Sequence, residues 1–503
     1  MRFLMIIATS WRSKKNSRAG FAMLWAAAAS TAILLSACAT IEPQDSSFNS
    51  AQSAPPPRAA GGGSKPSGEH RRMIALFDGE YKYPSAERYL NDILVKLASA
   101  DERGGEPYRV TILNSPIVNA FALPPGNVYV TRGLLALAND TAEVAAVMAH
   151  EIAHITANHA VQREEEEKRA AVISQAASVI QNKQKSVEIE AIAQRTIASF
   201  SRQQELEADA IGIKVIARAG FDPYGGARFL GALGRSAAMR SSLIGQNASS
   251  RKPDMLATHP STPERVTQAI MAARQIGAPG IGTADRAAYL AAIEGMTFGD
   301  DPSEGAIRGR KFVHGRLGFG FLAPEGFVLE NASQALLGVK AGGTEALRLD
   351  SVTLAPETSL TSYMASGWID GLVESSIETT EVNSMPAATA IARAGEWSFR
   401  LALIRFEPNR VYRLIFASRT LTDAAKDRFR ASIDSFHRVS DDEVRAVPPL
   451  RIGIVVAKTG ESAEAMATRM AVPDRALEYF LLINGLEHGG PLHSTERYKI
   501  VIE

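Results

Sequence analysis

Residues 141–160 read TAEVAAVMAHEIAHITANHA, and this stretch decides how the chain is read. It is rich in alanine and has no internal proline, so it is expected to be helical. At 100° per residue, Val144, Met148, Ile152 and Ile155 fall on one apolar stripe. His150 and His154 lie four apart, side by side and away from that stripe. Two imidazoles one helical turn apart can grip one zinc ion, and Glu151 then stands beside the metal's open position as a base. His159, five residues beyond His154, would turn about 140° away from it on an unbroken helix. It is expected at the edge of the core or behind a ligand, and not as the third ligand.

That third ligand should come from a second helix. Ser201-Arg202-Gln203-Gln204-Glu205-Leu206-Glu207-Ala208-Asp209 offers three acids, which helical geometry separates. Glu205 and Asp209 share a face with Gly212 and Ile216, whereas Glu207 points almost opposite, toward solvent. Glu205 is therefore the expected ligand. Asp209, one turn on, is expected to accept the free ring N–H of a zinc-bound histidine and fix its tautomer. The helical pattern runs from Thr141 to about Ala219, where Gly220 and Pro223 close it.

With these residues in hand, the chain resembles the zinc metallopeptidase family that includes the CaaX prenyl protease, HtpX and BepA. The resemblance covers roughly residues 70–275. It rests on the His150–His154 motif, on Asn119-Ala120-Phe121-Ala122-Leu123-Pro124 with Gly126, and on Ser201-Arg202 leading to Glu205 and Asp209. It rests also on Thr258-His259-Pro260-Ser261-Thr262-Pro263-Glu264-Arg265. It implies a mainly α-helical zincin-type peptidase domain with a small edge β-sheet, one Zn2+ per chain, and peptide-bond hydrolysis with Glu151 as general base. By the same resemblance His259 lies near the metal, either covering it as a reversible fourth ligand or stabilising the oxyanion. Arg202 is a further candidate oxyanion donor. A substrate strand is expected to add to an edge strand at Asn127–Thr131, with Asn119, Phe121 and Tyr129 as substrate-binding residues.

Outside this block the sequence divides further. Residues 1–37 carry five basic residues and no acid before an apolar run, the pattern of an export signal. Leu35-Ser36-Ala37-Cys38 resembles a lipobox, which implies lipidation of Cys38. Ala39 then favours, by lipoprotein resemblance, the outer membrane of a Gram-negative host. Residues 38–68 are rich in Ser, Pro and Gly and are expected to be a disordered tether. The peptidase domain is expected over 69–298 and an α+β accessory domain over 310–440. Within the latter, β-like runs are expected at Phe312–Phe321, Ala346–Leu354, Trp397–Phe406 and Val411–Ser418, with a helix at Thr422–Phe436. Residues 448–503 form a strand–helix–helix–strand unit that weakly resembles a LysM module, a βααβ fold that binds peptidoglycan.

Composition limits the remaining possibilities. The single cysteine excludes a disulfide framework and any cysteine-based zinc site. With 55 basic and 54 acidic residues there is no footprint for nucleic acid. His314, His437, His488 and His493 carry no ligand spacing. The expected partners are unfolded or misassembled envelope polypeptides, the membrane through Cys38, and peptidoglycan through 448–503. Two other readings stand beside the peptidase: a chaperone-like binder with a self-inhibited zinc site, and a peptidoglycan-associated adaptor.

Overall fold

The computed structural model describes residues 68–102, 108–163, 202–244 and 262–503, apart from a few single or paired positions, and also Glu165, Lys168, Met255 and His259. The leader, Cys38 and the tether lie outside the described residues.

The first unit is built around a buried helix. After α1 (Gly68–Leu76) and α2 (Pro84–Ala100) come three short strands, β1 (Arg109–Leu113), β2 (Ala120–Leu123) and β3 (Asn127–Thr131). Helix α3 (Arg132–Leu137) then leads into α4 (Thr141–Thr156), the helix of the HEIAH motif. Asp140 caps α4, its side chain accepting from the Glu143 N–H at 2.9 Å, and such a cap stabilises a helix by about 1 kcal/mol. Every residue of α4 from Thr141 to Ala153 is buried. Its Val144, Met148 and Ile152 join Leu90, Ile93 and Leu97 of α2 in one core, each large side chain contributing about 1.5–3 kcal/mol by leaving water.

The helical pattern expected from Thr141 to Ala219 is interrupted. Helix α4 ends at Thr156, and Asn158 takes a left-handed conformation (φ 57°) before helix resumes at His159. Asparagine tolerates that conformation because its short polar side chain bonds locally. The next described helix, α5 (202–218), carries Glu205 and Asp209. It crosses α4 closely: a Cβ on Gly212 would lie 3.1 Å from the His150 backbone nitrogen. Helices α6 (Gly225–Ile244), α7 (Pro263–Ile276) and α8 (Arg286–Ile293) complete the unit.

The sheet order β1-β3-β2 corrects the placement of the edge strand. β3 is central, parallel to β1 and antiparallel to β2. Its alternation reads like an edge, but both neighbours use its backbone groups. The edge beside α4 is β2.

The middle unit contains a seven-stranded antiparallel sheet and a four-stranded one. Its helix Asp423–Asp434 packs Ala425, Phe429 and Ile433 against one face of the larger sheet. The single β-like run expected at Phe312–Phe321 is two strands, Lys311–His314 and Phe319–Leu322. They are joined by a turn in which Gly318 adopts φ 72°.

The last unit has the order Arg451–Val456, Ala463–Ala467, Ala476–Asn484, Arg497–Ile502: strand, two helices, strand. It is docked on the first unit. Backbone bonds join Gly295 and Met296 to Ile452 and Phe298 to Leu450. Lys499 is fully buried and donates its ammonium to the carbonyls of Ala136 (2.8 Å) and Ala138 (2.5 Å), at the end of α3. Arg286 spans from the Asn139 carbonyl to Asn484 Oδ1.

Candidate metal centre

Four side chains from three segments converge. One donor atom from each of His150, His154, Glu205 and His259 lies within 4.8 Å of the others. His150 Nε2 is 3.1 Å from His154 Nε2, 3.3 Å from His259 Nδ1 and 3.4 Å from Glu205 Oε2. Glu205 Oε1 is 2.9 Å from His259 Nδ1 and 3.5 Å from His154 Nε2. A tetrahedral zinc with ligands at about 2.0–2.1 Å sets its donors about 3.3 Å apart, so the spacing of this group fits that ion. Three neutral imidazoles and a carboxylate are also the donor types zinc takes.

Each member has a cause for its position. Helical spacing brings His150 and His154 to one side of α4. The close crossing at Gly212 brings α5 near enough for Glu205 to reach them. His259 is buried in the loop before α7, its backbone N–H bonded to the Met255 carbonyl, while the Met255 N–H bonds to the Val118 carbonyl just before β2.

Behind these atoms lies a set of charges. His150 Nδ1 is 2.9 Å from Asp209 Oδ1. Arg265, almost fully buried, grips Asp209 through two nitrogens at 2.8 Å and reaches Glu205 Oε2 at 2.9 Å. Burial alone would lower the pKa of His150, but Asp209 and Glu205 outweigh it and raise it to about 10. Burial would raise Glu205, yet its bonds to His150 and His259 hold it well below the ordinary carboxylate range. Burial likewise works against Asp209, which Arg265 and His150 keep low. Glu151 is different. Burial raises its pKa, His259 only partly opposes that, and its Oε1 is buried with no hydrogen-bond partner among the described residues, 3.7 Å from His259 Nε2.

The other residues singled out from the sequence fall as follows. His159 is buried, with Nδ1 2.9 Å from His154 Nδ1. Glu207 is half-exposed, its carboxylate 3.5 Å from His159 Nε2. Arg202 is removed from the centre. Its side chain is 65% exposed and pairs with Glu264, so it is not an oxyanion donor. Arg265 is the buried guanidinium at the site, and its place six residues after His259 was the signal that could have found it. Phe121 lies on β2 and stacks on Tyr129 at 4.7 Å. Tyr129 itself is fully buried on the central strand, its hydroxyl 2.6 Å from His70 Nδ1, so no substrate side chain can reach it. Asn119 is buried, and its backbone N–H and carbonyl both bond Thr131.

Comparison with known proteins bears on the same segment. Residues 84–272 match the model of Peptidase family M48. The beta-barrel assembly-enhancing protease of Escherichia coli (strain K12) is 31% identical over 203 residues, covering 38% of this chain and 40% of that protein. That of Yersinia pestis is 32% identical over the same length and shares. The mitochondrial metalloendopeptidase OMA1 of Arabidopsis thaliana is 32% identical over 168 residues, 33% of this chain and 32% of that one. The chain thus spans well under half the length of the curated relatives it matches.

Proposed function

We propose that the chain, whose residues 84–272 match the model of Peptidase family M48, is a zinc metalloendopeptidase of the cell envelope that cleaves unfolded or misassembled polypeptides. The observation that carries the chemistry is the convergence of His150, His154 and Glu205 beside Glu151, whose buried Oε1 makes no hydrogen bond among the described residues. Bound zinc supplies Lewis acidity and a water acidified to a pKa of about 7. Glu151 Oε1 takes the proton of the attacking water and returns it to the leaving amine. Burial, by raising its pKa, makes Glu151 a better proton acceptor than an exposed glutamate. Asp209 holds His150 in its ligating orientation, and Arg265 keeps Asp209 ionised while pairing with Glu205.

The position of β2 at the edge of the sheet, with no further strand beside it among the described residues, supports backbone recognition. An extended chain paired there would run beside α4 with its peptide groups near Glu151, and folded proteins cannot offer such a strand. The basic leader, the lipobox at Cys38 and the Ser/Pro-rich tether support lipid anchoring in the envelope, as do relatives named for β-barrel assembly.

One observation favours a resting state of low activity. His259 completes a four-donor set, whereas a catalytic zinc keeps one position open. With zinc held by all four groups, His259 would occupy the place a substrate carbonyl needs, which is where the self-inhibited, chaperone-like reading has its support. The strand–helix–helix–strand order of 448–503 fits the adaptor reading, which binding of purified peptidoglycan would test.

The decisive experiment is hydrolysis of casein by the purified chain, by Glu151→Gln and by His259→Ala, each with its zinc content measured. Glu151→Gln should keep zinc and lose at least about 1000-fold in rate. His259→Ala should keep zinc and equal or exceed the unmodified chain. A Glu151→Gln variant with unchanged rate would sink the mechanism, and absence of zinc from every form would sink the site.

A further inference from the structure

The two histidines of α4 are supported in different ways. Behind His150 stands a carboxylate, Asp209, clamped by Arg265. Behind His154 stands a second imidazole. His159 Nδ1 lies 2.9 Å from His154 Nδ1, the rings meet edge to face at 4.9 Å, and Glu207 Oε2 lies 3.5 Å from His159 Nε2.

We propose that His159 is a positioning residue for the metal centre, its Nδ1 accepting the N–H of His154 so that His154 Nε2 is kept as the ligating atom. The proposal rests on the zinc-site reading of His150, His154 and Glu205. Two ring nitrogens at 2.9 Å share one proton. A His154 that offers Nε2 to a metal carries its hydrogen on Nδ1, so His154 is the donor and His159 Nδ1 the acceptor. A neutral His159 then carries its own hydrogen on Nε2, the atom that faces Glu207. At 3.5 Å the Glu207 carboxylate is a nearby charge and not a hydrogen-bond acceptor, so the bond that sets the His154 tautomer is the one between the two rings.

The backbone is shaped for this contact. A continued helix would put His159 on the far side of α4 from His154. The break at Ala157 and the left-handed Asn158 turn it back instead. Gln204 Nε2 donates to the His159 carbonyl at 2.8 Å, tying that turn to the residue just before Glu205. The placements of two metal-facing groups, His154 and Glu205, are thereby linked through His159, which touches neither substrate nor metal.

The test is zinc affinity, measured by competition with a chelating dye, alongside thermal unfolding of the metal-free forms. His159→Phe keeps the ring volume and removes the acceptor. It should weaken zinc binding about 10–100-fold, the usual effect of losing the partner of a ligating histidine, with the metal-free melting point little changed. His159→Asn, whose amide oxygen can sit near the position of Nδ1, should stay within about 3-fold of the unmodified chain, while His159→Gln should not. Should the Phe variant fail to fold, the Asn and Gln pair still decides the matter. Zinc binding by His159→Phe as tight as that of the unmodified chain would overturn the proposal. So would equal losses in Asn and Gln. If the unmodified chain binds no zinc, the metal-site reading fails first, and that outcome is separate from either of these.

Discussion

Arg265 holds two buried carboxylates at once, Glu205 on the metal side and Asp209 behind His150. Removing one partner of such a group leaves uncompensated buried charge, at a cost of about 3–5 kcal/mol. Arg265→Leu should therefore destabilise the chain by that amount and weaken zinc binding at least about 10-fold. Arg202→Ala breaks only an exposed pair and should change stability by less than about 1 kcal/mol, with activity within twofold. Denaturant melts and dye competition on the two variants check both. His150 gives a pH prediction. Its pKa in the metal-free chain is raised from 6.5 to about 10, so its stabilising contribution is complete below pH 6.5 and lost as pH rises through about 10. Zinc can take the site only when that proton leaves. Binding at pH 8 should release about one proton, and affinity should rise about tenfold per pH unit. Calorimetry in buffers of different protonation enthalpy measures the count, and a value near zero would refute it. Spacing alone separates Glu205 and Asp209 from Glu207. It cannot tell Arg202 from Arg265, because their difference lies in what packs over each of them.

At the level of elements, the crossing of α4 and α5 sets the reach of the third metal-facing side chain. Gly212 allows that approach, and a methyl there would meet the His150 backbone at 3.1 Å. Gly212→Ala should push α5 away by a few tenths of an ångström. It should weaken zinc binding more than helix propensity, which favours Ala by about 1 kcal/mol, would suggest for stability. Zinc titration beside a thermal melt separates the two effects, and unchanged zinc affinity would show that the crossing has slack. Helix α4 and the small sheet were legible from composition and apolar spacing, although α4 is buried on all sides from Thr141 to Ala153 and its stripe marks only part of what is covered. Strand order was not, since β2 and β3 are both short and only the partner on β3's far side, β1, makes it central. The turn at Ala157-Asn158 was hidden for another reason: neither residue is a proline or glycine, and the flanking residues remain helix formers.

Across the whole molecule, the first unit and the C-terminal unit share a buried seam. Lys499 satisfies two carbonyls at the end of α3, and Arg286 bridges Asn139 and Asn484. Lys499→Met keeps the length and removes the donor, leaving those carbonyls buried and unsatisfied. It should cost about 1–3 kcal/mol in a denaturant melt while Glu151-dependent cleavage persists at temperatures where the chain is folded. A melt that does not move would mean the carbonyls find other partners. That the unit existed was readable from its strand–helix–helix–strand pattern. That it docks was not, because a lysine on an alternating strand reads as a solvent-facing residue. The seam also opposes the order of synthesis to the order of assembly. The ammonium that closes the end of α3, immediately before the HEIAH helix, is 363 residues downstream of Ala136. At about 5–20 residues per second, the helix waits roughly 20–70 s after it is made for its plug to be translated. During that interval the carbonyls of Ala136 and Ala138 lack the donor that caps them in the folded chain, so the end of α3 reaches its final state only after the last strand is made.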